Sequence, residues 1–132
     1  MNDSDMDTKR EILEAFNSCE FATLLGMTIA DVWDHGVRVT MFTDGKTGPN
    51  GVAHGGAVFS LADQAFGIAA NMDGDRRVAL SVSIQYISPA SGHLEAIAER
   101  ISGNDLYSIY RVTVSAGDRL VAVFEGTGIK VA

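Results

Sequence analysis

The feature that most constrains this chain is one long apolar segment that carries a single charge. Between Gly55 and Ala70 the only formal charge is that of Asp63. Apolar residues surround most of the circumference of a helix built from this segment, namely Val58, Phe59, Leu61, Ala62, Ala65, Phe66, Ile68 and Ala69. A helix that is apolar nearly all round is predicted to be buried nearly all round. Its carboxylate must then be paired, hydrogen-bonded or protonated, because desolvating a charge is costly.

Small residues line the face of the helix on which Asp63 is predicted to lie. Gly56 and Ser60 precede Asp63 on this face, and Gly67 follows it by one helical turn. Such a face lets a second chain or a ligand approach the helix backbone closely. Two interpretations remain open from the residues alone: Asp63 has a structural partner in the core, or it has a chemical function.

The start of the same helix is a second candidate element. Gly55 and Gly56 in the first turn leave backbone N–H groups without partners at the positive end of the helix dipole. Such groups can stabilise a carbonyl oxygen that gains negative charge during acyl transfer. His54 precedes them, and a lone histidine more often has a structural role. Together, Asp63 and this helix entry form a candidate acid–base group with an oxyanion hole.

The remainder of the chain is predicted to form mainly strands. A first helix is expected from the Asp7-Thr8 cap to about Ser18, with residues 1–6 frayed, and a short helical turn at 21–25. Patterns typical of strands occur at 27–33, 36–42, 78–88, 94–101, 106–115 and 120–131. One long helix followed by antiparallel strands indicates an α+β fold with a sheet wrapped against the helix. The length of 132 residues indicates one domain spanning the chain.

Composition argues against several classes of function. The net charge of −7 disfavours a nucleic-acid partner. The acidic first ten residues hold no apolar segment of a signal peptide, and polar residues interrupt the apolar helix, so a cytoplasmic protein without a membrane span is expected. The single cysteine, Cys19, excludes an intrachain disulfide, and the three histidines show no metal-ligand spacing. No metal and no cofactor are therefore predicted.

The run HGGAVFSLADQA, from His54 to Ala65, resembles a known family. It is similar to the hotdog-fold acyl-CoA thioesterases of the phenylacetic-acid-degradation type, in the 4-hydroxybenzoyl-CoA thioesterase superfamily, whose helix opens with HGG and carries Asp nine residues after the His. The run SIQYISPA, from Ser83 to Ala90, is similar to the strand that follows in that family. The resemblance implies a hotdog fold, an antiparallel sheet wrapped around one long central helix. It also implies an enzyme that hydrolyses the thioester of an acyl-CoA.

The resemblance implies roles for the residues of the helix entry. Asp63 would be the general base that activates water, or the nucleophile that attacks the thioester. The backbone N–H of Gly56 or Gly55 would hold the thioester oxygen, and His54 would buttress that turn. Ser60 and Gln64, on either side of Asp63, join the predicted substrate contacts.

The sequence departs from the family pattern at two positions. The family has an Asn six residues before the His, where this chain has Gly48, and Asn50 is the candidate replacement. Some relatives have a Ser where this chain has Ala79. Ser81 and Ser83 are predicted to share the face of Ala79 and so to reach the site. Two cations just past the helix, Arg76 and Arg77, are candidates to meet the phosphates of CoA, and the alternative interpretation is solvated surface charge.

The predicted partners are acyl-CoA and a second copy of the chain. In the family the helices of two subunits lie side by side, so that the glycine turn of one faces the Asp of the other, and a dimer of dimers is also expected. Coenzyme A belongs to the substrate and is not a separate cofactor. The acyl group is expected to be aromatic or short to medium in length. The alternative function is a non-catalytic module that binds or senses acyl-CoA.

Overall fold

The computed structural model describes residues 3–131, with side chains described from Met6 onward. The helices are α1 (Asp3–Ser18), α2 (Glu20–Leu25) and α3 (Gly55–Asn71). The strands are β1 (Thr28–Trp33), β2 (Gly36–Phe42), β3 (Arg77–Tyr86), β4 (His93–Gly103), β5 (Tyr107–Ala116) and β6 (Arg119–Lys130). Within this part of the chain, no helix has the length and apolar character that crossing a bilayer requires.

The first helix begins earlier than its predicted cap. It starts at Asp3, so the predicted fraying is wrong for residues 3–6, while residues 1–2 lie outside the described residues. The Asp7-Thr8 pair lies inside the helix, where Asp7 pairs with Arg10 at 3.6 Å, an i,i+3 interaction that favours helix over a cap.

The six strands form one sheet in the order β1-β2-β4-β5-β6-β3. Every neighbouring pair is antiparallel. The connection through α3 carries the chain from β2, near one edge, across the sheet to β3 at the other edge. The predicted α+β arrangement, a sheet wrapped against one long helix, is confirmed.

The helix α3 buries one face and leaves the other open. Its buried residues are Ala57, Val58, Leu61, Ala62, Ala65, Phe66, Ile68, Ala69 and Ala70. By contrast, Gly56 and Asp63 are exposed, and Ser60 and Gly67 are half-buried. The prediction that α3 is buried nearly all round is therefore wrong for the single chain. The open face is the one built from small residues, which offer too little apolar area to require a cover from the same chain.

A glycine of β6 lets the sheet approach α3 closely. A Cβ atom at Gly126 would lie 2.8 Å from Cε1 of Phe66, so the ring of Phe66 occupies the space that a side chain at 126 would need. The same ring packs against Phe124 and Tyr110, with centroid distances of 5.7 Å and 6.2 Å. This contact fixes the height of α3 above the sheet.

The helix α1 covers part of the small-residue face. The side-chain amide of Gln64 donates to the carbonyl of Phe16 at 2.9 Å. The ring of Phe16 lies over Gly67, 3.3 Å from where a Cβ would stand. Gln64 therefore anchors α1. This structural role differs from the substrate contact that was predicted for it. The part of the face that stays open is the part nearer the start of α3.

We expect Gly126→Ala to lower the free energy of unfolding by about 1–3 kcal/mol, because the added methyl group overpacks the Phe66 ring in a closed core. Gly128→Ala is the matched control on the same strand and face, since its Cβ would meet its nearest neighbour, Oγ of Ser108, at 3.4 Å. Urea denaturation of both variants measures the difference. Equal stability of the two variants would contradict this account of the contact.

Candidate active site

The side chain of His54 caps the start of α3. His54 is the N-cap residue, with φ −62° and ψ 138°, and its Nδ1 accepts a hydrogen bond from the Gly56 N–H at 2.8 Å. Because a backbone N–H can only donate, Nδ1 is unprotonated, and a neutral ring carries its proton on Nε2. The Gly56 N–H, predicted as an oxyanion donor, is therefore already engaged within the chain. His54 occupies the buttressing position that the resemblance implied.

The peptide that joins His54 to Gly55 supplies the open donor. The carbonyl of His54 accepts from the N–H groups of Ala57 and Val58, at 2.9 Å and 3.1 Å. In a trans peptide the N–H points opposite to the carbonyl, so the Gly55 N–H is directed out of the helix. Among the described residues it forms no hydrogen bond. The helix entry thus presents one unpaired donor, that of Gly55, at the positive end of the dipole.

A tyrosine at the end of β3 contacts the same turn. The hydroxyl of Tyr86 donates to the carbonyl of Gly55 at 3.1 Å, and its ring lies 3.6 Å from the position of a Cβ at Gly55. Tyr86 was not among the site residues predicted from the sequence. Only the path of β3, which returns to the start of α3, brings the two residues together.

The carboxylate of Asp63 has no partner within the described part of the chain. Neither a hydrogen bond nor an ion pair to it occurs there, and the side chain is exposed. Enough protein nevertheless surrounds the carboxyl group that desolvation raises the pKa of Asp63. The structural interpretation, a carboxylate paired in the core, is not supported.

Asp63 and the open donor are separated along the helix. Asp63 lies eight residues after Gly55, which corresponds to about 12 Å along the axis of α3. A carbonyl oxygen that accepts from Gly55 is therefore beyond the reach of Asp63 in the same chain.

A tight turn before α3 brings Asn50 beside the helix entry. Gly48 accepts from Gly51, whose φ is 78°, and the bridge between Thr47 and Ala53 closes the loop. A pocket of about 250 Å³ is lined by Gly48, Pro49, Asn50, Val52, Ala53, His54 and Gly55. The structure therefore places the predicted Asn50 against the same pocket as His54 and Gly55.

Two open grooves flank the first turn of α3. The α2 groove, of about 360 Å³, is lined by Phe21, Leu25, Gly45, Lys46, Thr47, His54, Gly56, Ala57 and Ser60. The β3 groove, of about 310 Å³, is lined by Val52, Ala53, Gly55, Val58, Tyr86, Ile87, Ser88, Pro89, Ala90 and Val121. Both are mainly apolar, so the open donor stands between two surfaces suited to the two sides of an extended ligand. Among the described residues, no three acidic, histidine or cysteine side chains cluster as metal ligands.

The predicted serines of β3 face away from α3. Ala79 pairs with Gly128, and both lie on the inner face of the sheet. A β-bulge follows, so that Ser81 pairs with the adjacent residue of β6, whose side chain lies on the outer face. Ser83 pairs with Glu125, which is exposed on that outer face. The extra residue of a bulge reverses the alternation. The prediction that Ser81 and Ser83 share the face of Ala79 is therefore wrong.

The two predicted phosphate-binding arginines differ from each other. The guanidinium of Arg77 is buried and donates to the carbonyls of Leu106 and Asn104, at 3.1 Å and 3.3 Å. It ties the β4–β5 turn to β3, and the predicted phosphate contact of Arg77 is wrong because its side chain is only 4% exposed. Arg76 is exposed, but it follows the far end of α3, about 25 Å from Gly55 along the axis.

A third arginine, which the sequence analysis did not consider, lies near the site. Nε of Arg119 donates to the hydroxyl of Ser88 at 3.2 Å, and Ser88 lines the β3 groove. Arg119 is the first residue of β6, next to the β5–β6 turn, and nothing in the local pattern distinguishes it from a solvated charge.

We expect Asp63→Asn to stabilise the fold at neutral pH. The pKa of Asp63 is raised in the folded state, so the folded chain binds more protons than the unfolded chain above the ordinary pKa of about 3.9. The free energy of unfolding of wild type therefore falls as the pH rises from that value through the folded pKa. The gain in the free energy of unfolding from Asp63→Asn should vanish below this pH window. Urea denaturation across a pH series measures it, with Asp118→Asn in the exposed β5–β6 turn as the control. A gain that is the same at every pH would contradict the assignment.

Comparison with known proteins identifies the relatives of this chain. The thioesterase superfamily profile matches residues 50–123. A protein named "Putative esterase" from Deinococcus radiodurans is 34% identical over 112 residues, 81% of this chain and 76% of that protein. Another of the same name, from Archaeoglobus fulgidus, is 35% identical over 83 residues, and this chain spans only about half of it, 54%.

Solved structures agree with this result. The PaaI protein of the Escherichia coli phenylacetic acid degradation operon superposes with a TM-score of 0.89 at 27% identity, over 96% of this chain and 95% of that one. A mutant of the phenylacetic acid degradation protein PaaI from Thermus thermophilus gives 0.81 at 32% identity, over 86% of this chain and 100% of that one.

These neighbours confirm the predicted hotdog fold, and the family confirms the prediction of a hydrolase that acts on thioester bonds. The residues matched by the profile include the helix entry, all of α3 and the strand that carries Tyr86. This chain is a member of the thioesterase superfamily.

Proposed function

We propose that this chain hydrolyses acyl-CoA thioesters to the free acid and CoA, with Gly55 as the oxyanion donor and Asp63 as the general base or nucleophile. The observation that carries the proposal is the pair of unsatisfied groups on α3. One is a backbone N–H directed out of the helix, and the other is a carboxylate without a partner in the described chain. Their chemistry matches what acyl transfer needs, a donor for the developing oxyanion and a group that takes a proton or attacks.

The reaction has two forms that the residues leave open. As a base, Asp63 takes a proton from water while the water oxygen bonds to the thioester carbon. As a nucleophile, its carboxylate oxygen bonds to that carbon first, and water then hydrolyses the resulting anhydride. In both forms the C–S bond breaks, the sulfur of CoA leaves as a thiolate and is protonated, and Gly55 stabilises the oxygen of the tetrahedral intermediate.

The proposal includes a homodimer in which each site is shared. A separation of about 12 Å prevents Gly55 and Asp63 of one chain from acting on the same carbonyl. A second α3 running antiparallel against the open face brings the partner's Asp63 toward Gly55. The exposed Gly56 and half-buried Ser60 let the two backbones approach closely. A dimer of two such dimers is part of the same proposal.

The free edge of β3 supports the dimer. β3 is an end strand of the sheet, and its backbone edge opposite β6 has no partner strand within residues 3–131. Val78 and Leu80 expose 46% and 57% of their surface there. Long exposed apolar edge strands pair with other chains unless they are protected. Pairing of two β3 strands across a two-fold axis would join the sheets and bring the helices side by side.

The grooves support an apolar acyl group and a pantetheine arm on either side of Gly55. We assign an aromatic or short- to medium-chain acyl group, since the lining of both grooves is mainly apolar and their volumes are moderate. Asn50 would orient water or the carbonyl from the adjoining pocket. Arg119, which bonds to Ser88 at the β3 groove, is a candidate cation for the phosphates in the same chain, and Arg76 is a candidate from the partner.

The direct test is turnover of an acyl-CoA panel with detection of the free thiol. We expect wild type to release CoA, and Asp63→Ala and Asp63→Asn to lower kcat by about 10²–10⁴-fold, the range for loss of an acid–base group. Asp118→Asn is the control. Tight binding without thiol release by wild type would favour the binding module instead. Full activity of Asp63→Ala would remove Asp63 from the site.

A proline substitution tests the oxyanion donor. Gly55 is the first helical residue, where proline is tolerated, and the extended backbone of His54 suits a residue that precedes proline. Gly55→Pro therefore removes the N–H with little change to the helix. We expect kcat to fall by about 10²–10³-fold, as for loss of an oxyanion donor. Gly55→Ala keeps the N–H and serves as the matched control; an equal loss in both variants would contradict the assignment.

The same variant tests the shared site by complementation. A heterodimer of an Asp63→Ala chain and a Gly55→Pro chain contains one site with both native groups. Because half of randomly mixed dimers are heterodimers with one such site of two, co-folding should restore about a quarter of wild-type activity. A mixture of Asp63→Ala with Asp63→Asn should restore none. Absence of complementation in the first mixture would overturn the shared site.

A further inference from the structure

The turn that carries the open donor is held from both sides. The peptide that joins Gly55 to Gly56 accepts from the Tyr86 hydroxyl through its carbonyl, at 3.1 Å. Its N–H donates to Nδ1 of His54, at 2.8 Å. A peptide unit is rigid and planar, so two hydrogen bonds at its opposite ends fix the orientation of the plane.

Glycine makes such a clamp effective. Gly55 and Gly56 reach more backbone conformations than other residues, so the first turn frays more readily, and the two side-chain bonds add to the helix bonds that hold the plane between them. Rotation about Gly55 would change the direction of its own N–H relative to the helix. The carbonyl of His54 is held by Ala57 and Val58, which fixes one side of Gly55, and the clamp fixes the other.

We propose that Tyr86 is a positioning residue, which locks the Gly55–Gly56 peptide together with His54 and so keeps the Gly55 N–H directed at the substrate. The catalytic part of this inference, the orientation of the Gly55 N–H toward the substrate, rests on the proposed function. The three groups form one chain of hydrogen bonds, from the Tyr86 hydroxyl through the peptide to the His54 ring. Such chains polarise each bond in them, so loss of the first also weakens the last.

The strand geometry makes this role specific to Tyr86. The residue is the last of β3, and it lies 31 positions after Gly55 in sequence. Its ring is exposed and lines the β3 groove, so the hydroxyl does not serve to satisfy a buried core. The bond therefore ties the edge strand to the catalytic turn, and pairing of β3 with a partner would stiffen both at once.

The test is Tyr86→Phe, which removes the hydroxyl and keeps the ring, beside Tyr107→Phe, an exposed tyrosine on β5, as the control. Two readouts are needed. Water-exchange NMR of the Gly56 amide should show faster exchange in Tyr86→Phe alone. With an acyl-CoA, kcat should fall about tenfold with KM changed less than about twofold, since misplacement of a catalytic group lowers the rate of the bound complex.

The outcomes separate this inference from the proposed function. Unchanged Gly56 exchange in Tyr86→Phe would overturn the clamp, whatever happens to activity. Faster exchange with unchanged kcat would overturn its catalytic role. If wild type hydrolyses no thioester, the proposed function fails, and the exchange measurement still decides whether the clamp exists. A loss of thermal stability without either change would show a merely structural hydroxyl and would also overturn the inference.

Discussion

The burial of one face of α3 against the inner surface of the sheet is the interaction on which the rest of the structure depends. The residues on this face are buried, and the ring of Phe66 fits over the backbone of Gly126. This contact sets the distance and direction of the helix. Once α3 is fixed, its first turn must stand beside the end of β3 and the preceding loop, and its opposite face must point outward. The candidate site is formed by this first turn and this outward face.

The hydrogen bonds at the helix entry determine which backbone N–H stays available for chemistry. A helix start has several N–H groups without intrahelical partners, and each needs another acceptor or water. Here the His54 carbonyl takes two donors and its ring takes the Gly56 N–H. Gly55 alone is left, in the most positive part of the helix field. Because the His54 ring accepts from the N–H of Gly56, the N–H that remains open is that of Gly55.

The position of Asp63 on the open face of α3 determines its pKa. Within one chain the carboxylate is unpaired but partly desolvated, and its pKa is raised for that reason. A second copy laid on this face would remove more water, which would raise the pKa of Asp63 further in the same direction. Dimerisation would then complete the site and also strengthen the basicity of Asp63, the proposed base or nucleophile.

The sequence by itself determined the long helix with its lone carboxylate, the strands and the glycine turn, because these follow from local period and residue type. It did not determine which glycine N–H stays open, since that depends on a side-chain rotamer of His54. The outward direction of Ser81 follows from a bulge, and the burial of Arg77 from carbonyls of a distant turn. Tyr86 reaches Gly55 only because β3 returns past the start of α3. Contacts between residues far apart in sequence leave no local pattern, and for that physical reason only the tertiary structure decided them.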